Sequence, residues 1–174
     1  MLYLRKINQD AWFMGQELDS DSISDLQTQN HEFSVWEIPD DRSNLDDVVL
    51  ALALTRDDPS GKYIVFLNLD TIKEKYCWDI PIQQQPGLTL YKAKANCHVN
   101  LMLKDFWEQG YLAEHIFNLL KDTVNYCYYS EMKLIELLYR QVQSGLISES
   151  DLASKGKWNK AYKIYKTSHN TNPK

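Results

Sequence analysis

The sequence has few of the residues on which disulfide-rich domains and phosphate-binding loops depend. Its three cysteines, Cys77, Cys97 and Cys127, are widely spaced and form no CxxC pair. Such a set argues against a disulfide framework and favours a reducing compartment. The six glycines are scattered, so neither GxGxxG nor GxxxxGK[ST] occurs. A Rossmann or P-loop nucleotide site is therefore excluded.

Long apolar stretches are also missing from the chain. No run of about 18 apolar residues is present, which is the length that a membrane-spanning helix needs. The first six residues turn polar at Arg5, unlike the apolar core of a secretory signal. We therefore expect a cytoplasmic protein without a membrane partner.

The composition is that of an ordinary folded domain, with 174 residues, 44% hydrophobic and 25% charged. The net charge of -5 is distributed unevenly, because residues 1–58 contain thirteen acidic and four basic side chains. The rest of the chain is net positive. This asymmetry marks an interaction surface, or else the two parts neutralise each other across the fold.

Two kinds of periodicity predict an α+β fold. Short apolar runs at 2–7, 33–38 and 63–69 predict strands, and residues 95–103 alternate between apolar and polar side chains. Helical spacing dominates after residue 104. We predict a mixed β-sheet packed against helices in the first ~103 residues, followed by a helical C-terminal segment.

The domain prediction follows from the lack of any linker rich in glycine, proline or serine. One domain is expected over residues 1–168, with a sheet-containing part (1–103) and a helical part (104–168). Residues 169–174 are predicted to form a disordered tail.

Metal and cofactor sites have no support in the spacing of potential ligands. The four histidines are far from one another and from the cysteines, and no HExxH motif is present. We therefore predict no metal site and no cofactor.

The candidate catalytic residue is His98. On the predicted strand 95–103, Asn96, His98 and Asn100 share one face. As the polar floor of a pocket, they would serve a small enzyme acting on a nucleotide or nucleic acid, with His98 carrying a proton. The alternative is a solvent-facing strand, and the sequence leaves open whether the protein is an enzyme.

A second candidate surface lies near the C terminus. Lysines alternate there with Trp158, Tyr162 and Tyr165, a composition that favours nucleic-acid binding through phosphates and stacking. The alternative is an aromatic stripe in the core with the lysines on its solvated face. The lysines concerned are Lys155, Lys157, Lys160 and Lys163.

The leading hypothesis is a non-enzymatic protein–protein interaction protein, such as an accessory, immunity or antitoxin-like subunit of a bacterial or phage defence system. The polarised charge supports it, as do eleven tyrosines and five tryptophans, since both residue types are enriched at interfaces. A basic partner protein would dock on acidic side chains. The acidic candidates are Asp40, Asp41, Asp57 and Asp58.

Overall fold

The computed structural model describes residues 1–13, 17–26 and 30–170. These residues form six strands: β1 (Leu2–Ile7), β2 (Glu32–Ile38), β3 (Lys62–Leu67), β4 (Ile82–Gln84), β5 (His98–Met102) and β6 (Tyr126–Tyr129). They also form eight α-helices: α1 (Gln9–Phe13), α2 (Ser20–Asp25), α3 (Leu45–Ala53), α4 (Leu69–Tyr76), α5 (Phe106–Leu119), α6 (Glu131–Gln143), α7 (Glu149–Leu152) and α8 (Gly156–Asn170). Short 3-10 helices, Lys92–Cys97 and Thr123–Asn125, precede β5 and β6.

The six strands form one sheet in the order β4-β5-β2-β1-β3-β6. The N-terminal strand is central, and its Leu4 lies opposite Trp36 of β2 and Phe66 of β3. On the other side of β2, Ser34 lies opposite Asn100 of β5. The α+β prediction is confirmed.

Three details of the predicted sheet are corrected by the structure. Every pairing among the described strands is antiparallel, so the sheet is not mixed. The apolar run of β3 is typical of parallel strands, but it is explained here by helices on both faces. The sheet also extends beyond residue 103, because β6 pairs with β3. Residues 95–97, predicted as strand, end a 3-10 helix instead.

Helices cover both faces of the sheet. On the first face, α3, α6 and α8 pack over side chains that include Leu4, Ile38 and Phe66; we call this the α3 face. On the opposite face, α1, α4 and α5 pack over Val35, Val65 and other residues of the same strands. The two clusters use alternate residues of each strand, as a pleated sheet requires.

The central helix on the α3 face is buried almost all round. Every residue from Val48 to Leu54 is buried, as the uninterrupted apolar run in this segment predicts. Its first turn carries Asp46 and Asp47, which suits the positive end of the helix dipole.

No helix in the described ranges is both long and apolar enough to cross a bilayer. The helix α8 continues to Asn170, so the first two residues of the predicted tail are helical. Residues 171–174 lie outside the described residues.

Candidate ligand-binding cleft

A cleft of about 720 Å³ opens on the α3 face where its helical cover ends. Leu4 of β1 is fully buried under the helices, whereas Lys6, two residues further along the same face, lines the cleft. We call these two regions the covered half and the open half of the α3 face. The residues that follow α3, including Thr55 and Arg56, form one wall of the cleft.

Three cationic side chains, Lys6, Arg56 and Lys62, form what we call the basic wall of the cleft. Burial lowers the pKa of the Lys6 ammonium, and the nearby charges of Lys62 and Arg56 lower it further. No hydrogen bond or ion pair joins Lys6 to the part of the chain that the structure describes. Asp58 and Asp25 act on the Lys6 ammonium in the opposite direction, but neither forms an ion pair with it, and an anion entering the cleft would supply that partner.

Lys62 has a partner, in contrast to Lys6. Its side chain is 4% exposed, and its Nζ lies 2.8 Å from both Asp58 Oδ2 and Ser60 Oγ. The hydrogen bond from Lys62 holds the pKa of the Asp58 carboxyl well below its usual range. The turn at 58–60 thus fixes one cation of the basic wall.

Arg5, on the central strand β1, also lines the cleft. Its Nη1 donates to the Ser34 carbonyl at 2.9 Å, and its guanidinium lies 4.5 Å above the Phe33 ring. Its Nε is buried without a hydrogen-bond partner in the described residues. Burial lowers the pKa of this guanidinium.

The floor of the cleft on β2 and β5 is a connected set of neutral and acidic groups, which we call the amide floor: Glu32, Ser34, Gln85 and Asn100. Asn100 is 2% exposed, and its Nδ2 donates to Glu32 Oε2 at 2.7 Å and also to Gln85 Oε1. Ser34 Oγ donates to Asn100 Oδ1 at 3.1 Å. The Asn100 amide thus has partners for both its nitrogen and its oxygen.

His98 also lines the cleft, next to the amide floor. Its Nδ1 lies 2.6 Å from the carbonyl oxygen of Gln85, and its ring contacts the Trp36 ring edge-on at 5.2 Å. A carbonyl only accepts, so Nδ1 carries the proton and Nε2 of the neutral ring is left as an acceptor. A catalytic histidine is often held by a carboxylate; among the described residues, the hydrogen bond of His98 is to this backbone carbonyl instead.

The structure brings together two of the three residues predicted to form a polar floor. His98 and Asn100 both line the cleft. Asn96 lies on the preceding 3-10 helix, is exposed, and is not among the lining residues. The alternation that placed it with the others fails because β5 begins only at His98.

The four predicted acidic residues are divided between the two ends of α3. Before the helix, Asp40 Oδ1 lies 2.7 Å from the N-terminal amine, and Asp41 Oδ1 accepts from the Ser43 amide at 2.9 Å. After the helix, Asp57 Oδ1 accepts from the Lys157 amide at 2.9 Å and so caps α8. Each of the four has an intramolecular partner, and the two pairs lie before and after α3.

Most of the C-terminal aromatic stripe lies in the core, as the alternative interpretation expected, and its last residue, Tyr165, is half-buried. Trp158 and Tyr162 are buried, while Lys157, Lys160 and Lys163 are exposed on the other side of α8. Lys155 differs from these three, because its Nζ donates to the Thr55 carbonyl at 3.0 Å, at the wall of the cleft.

Sequence reasoning missed most of the cleft. Lys6 and Lys62 occupy strand positions whose same-face neighbours, Leu4 and Ile64, are apolar and buried. The alternation of side chains along a strand would turn these two lysines toward the helices. A charged residue at a position expected to be covered was therefore the sign of an open site in the sequence.

Within the described ranges, no three His, Cys, Asp or Glu residues lie close enough to hold a metal ion. No protein-family model matches this chain, and no curated protein or solved structure shows significant similarity to it. The geometry of the cleft therefore carries the functional argument by itself.

Proposed function

We propose that this protein binds a small phosphorylated molecule of nucleotide size in the cleft. The observation that carries the proposal is the half-buried Lys6, which has two further cations beside it and forms no ion pair or hydrogen bond with the described residues. A phosphate group supplies the negative charge and acceptor oxygens that such a wall lacks.

The dimensions and polarity of the cleft fit a ligand with two different ends. Its volume of about 720 Å³ falls in the range of small-molecule sites. Lys6 on β1 and Asn100 on β5 are separated by β2, so their strands lie about 10 Å apart. A nucleotide spans this distance with its phosphate at the basic wall and its base at the amide floor.

His98 extends the proposal from binding to catalysis. Its Nε2 acceptor, held in one tautomer by the Gln85 carbonyl, suits a general base or a hydrogen-bond acceptor for a ligand hydroxyl. Catalysis by His98 requires that a ligand binds in the cleft, so the binding of a phosphorylated ligand is tested first.

The test is calorimetric titration with nucleoside monophosphates and ribose 5-phosphate, using wild type and Lys6→Gln. Loss of a charge-assisted contact to phosphate weakens binding by about tenfold or more. The matched control is Lys160→Gln, which removes an exposed lysine of α8 and should bind like wild type. Equal affinity of Lys6→Gln and wild type, or no binding of any of these ligands, would contradict the proposal.

A second candidate function, protein–protein interaction, rests on exposed aromatic side chains at the start of α5. Phe106 is 80% exposed and Trp107 is 77% exposed, although both are costly to leave in water. The acidic N-terminal region lies alongside, because α2 packs on α5 and Gln109 Nε2 donates to the Ile23 carbonyl at 3.2 Å. The occupant that fits is a protein with an apolar pocket and a basic rim.

Pull-down from native extract tests this second candidate with the double variant Phe106→Ser/Trp107→Ser. A genuine partner is lost from this variant, retained by the control Met132→Ser, and released by salt. Met132 is a matched control because it is also an exposed apolar side chain, on α6. The same set of proteins recovered by all three forms would remove this candidate.

A further inference from the structure

The hydrogen bonds of the amide floor determine which groups it presents to a ligand. The Glu32 carboxylate accepts only, so the Asn100 amide must turn its Nδ2 toward it, which is the orientation observed. The same Nδ2 then requires an acceptor from Gln85, whose Oε1 it contacts. This contact turns the Gln85 Nε2 away from Asn100.

Two groups of the amide floor are left without partners in the described part of the chain. They are the second carboxylate oxygen of Glu32, Oε1, and the Nε2 of Gln85. Glu32 is half-buried and Gln85 is exposed, and both line the cleft. Both side chains contact Asn100, so the cleft offers a negatively charged acceptor and a neutral donor on neighbouring side chains.

The segment that carries Gln85 is held in place by two further contacts. The Gln85 carbonyl accepts from His98 Nδ1 at 2.6 Å. Two residues later, Gly87 lies so close to Trp36 that a Cβ there would come within 2.6 Å of the indole ring. The donor at Gln85 is thus presented by a segment packed flat against the sheet.

We propose that Glu32 and Gln85 select guanine, so that the preferred ligand of the cleft is a free guanine nucleotide; this inference rests on the proposed function. The base-pairing edge of guanine has two adjacent donors, N1–H and the N2 amino group, beside the acceptor O6. The carboxylate of Glu32 accepts from both donors, and the Gln85 amide donates to O6.

The other bases leave part of this arrangement unpaired. Adenine presents its N1 lone pair to the carboxylate, and cytosine presents N3 and O2. Each of these atoms is a hydrogen-bond acceptor, so it repels the carboxylate oxygens. Uracil offers a single N–H, and hypoxanthine lacks the second donor of guanine. Because unpaired groups in a partly buried site are costly, the order of affinity should be GMP, then IMP, then the other nucleotides.

Asn100 acts in this scheme as a positioning residue. It contacts Glu32 and Gln85 and is 2% exposed, and both its nitrogen and its oxygen already have partners, so its amide fixes their orientation. Replacing it with Asp would place two carboxylates together and disturb the acceptor.

The experiment compares GMP, IMP, AMP, CMP, UMP and ribose 5-phosphate by calorimetric titration of the intact chain. Wild type should bind GMP about tenfold or more tightly than AMP or CMP. Glu32→Gln should lose this preference while ribose 5-phosphate binds as before. The matched control is Glu37→Gln, on the same strand but alternating to the opposite face.

A second variant, Gln85→Ala, keeps the test valid if Glu32→Gln does not fold, because Gln85 is exposed. It should reduce the affinity for GMP more than the affinity for ribose 5-phosphate. Single-stranded RNA is included as a further ligand, since it presents guanine and phosphate together. Binding of RNA without binding of GMP would overturn the proposal of a free nucleotide.

The outcomes separate this inference from the proposed function. Equal affinity for all nucleotides and for ribose 5-phosphate overturns guanine selection but agrees with the proposed phosphate site. Preference for GMP that persists in both variants overturns the roles of Glu32 and Gln85. No binding of any phosphorylated ligand overturns both.

Discussion

The covered half and the open half of the α3 face use the same strands in opposite ways. On β1, Leu4 is fully buried in the apolar cluster beneath the helices, and Lys6 lies at the wall of the cleft. On β3, Ile64 is buried and Lys62 is an ammonium paired with Asp58. On both strands, the change from an apolar to a charged side chain occurs between successive residues of the same face.

The difference between the halves shows that the open half is more than an uncovered piece of core. The lining of the cleft contains four cationic and three acidic side chains, yet three of the cations lie together in the basic wall. Of these three, only Lys62 forms an ion pair within the described residues. Like charges placed together reduce the stability of the folded state. A ligand of opposite charge is the physical explanation that we propose for this arrangement.

The largest effect should come from the covered half. Leu4→Ala removes a fully buried side chain beneath the helices and should lower the free energy of unfolding by about 2–5 kcal/mol. Chemical denaturation followed by circular dichroism measures it. A loss below about 1 kcal/mol would mean that this half is less tightly packed than the structure shows.

An intermediate effect is expected where the two halves meet, at the pair of Lys62 with Asp58. Asp58→Ala leaves the buried ammonium with Ser60 as its remaining partner and should destabilise the fold by about 1–3 kcal/mol. The control is Asp79→Ala, because the exposed pair of Asp79 with Lys73 contributes little.

The effect of Asp58→Ala should also depend on pH. The folded-state pKa of Asp58 is depressed, so its contribution to stability is present above the unfolded-state value, about pH 4. It is lost as the pH falls from there through the folded pKa. Denaturation midpoints of wild type and Asp58→Ala should therefore converge on acidification; a constant difference down to pH 2 would contradict the assignment.

A smaller effect of opposite sign is expected in the open half. Lys6→Met relieves the repulsion from Lys62 and Arg56 and the burial of a charge, so it should stabilise the ligand-free protein by about 0.5 kcal/mol or more. The measurement is the same denaturation experiment without ligand. Destabilisation would show that Lys6 serves the fold rather than a ligand.

The smallest effect should come from outside both halves, on the exposed side of α8. Replacing Lys157, Lys160 and Lys163 together with Gln should change the free energy of unfolding by at most about 0.5 kcal/mol for each residue. Nucleotide affinity should also be unchanged, and this is checked in the same titrations. Weakened binding would mean that the phosphate binds at the C-terminal helix and not at the basic wall.

Periodicity in the sequence predicts those parts of the fold whose pattern of buried residues lies within a single segment. The buried α3 and the aromatic stripe of Trp158 and Tyr162 were both recognisable, because helical spacing creates them within one segment. The strand β6 was missed although Tyr126–Tyr129 is rich in aromatic residues, since it is only four residues long and lies between helices.

The cleft was beyond such reasoning because its residues come from distant segments. His98 and Asn100 were chosen from strand alternation, and both line the cleft. Their neighbours Lys6, Glu32 and Lys62 join them only through the order of the strands, which no single segment specifies. Asn96 was misplaced because the start of β5 depends on the preceding 3-10 helix.

The central position of β1 has a consequence for how the protein folds. The first strand pairs with both β2 and β3, but only its pairing with β2 is close along the chain, with Leu4 opposite Trp36. Its pairing with β3 and the hydrogen bond from Ser34 to Asn100 both span separations about twice as long. Closing a longer loop is slower. We therefore expect the pair of β1 with β2 to form first, and ligand-binding competence, which also needs β3 and β5, to appear in a later kinetic phase of refolding.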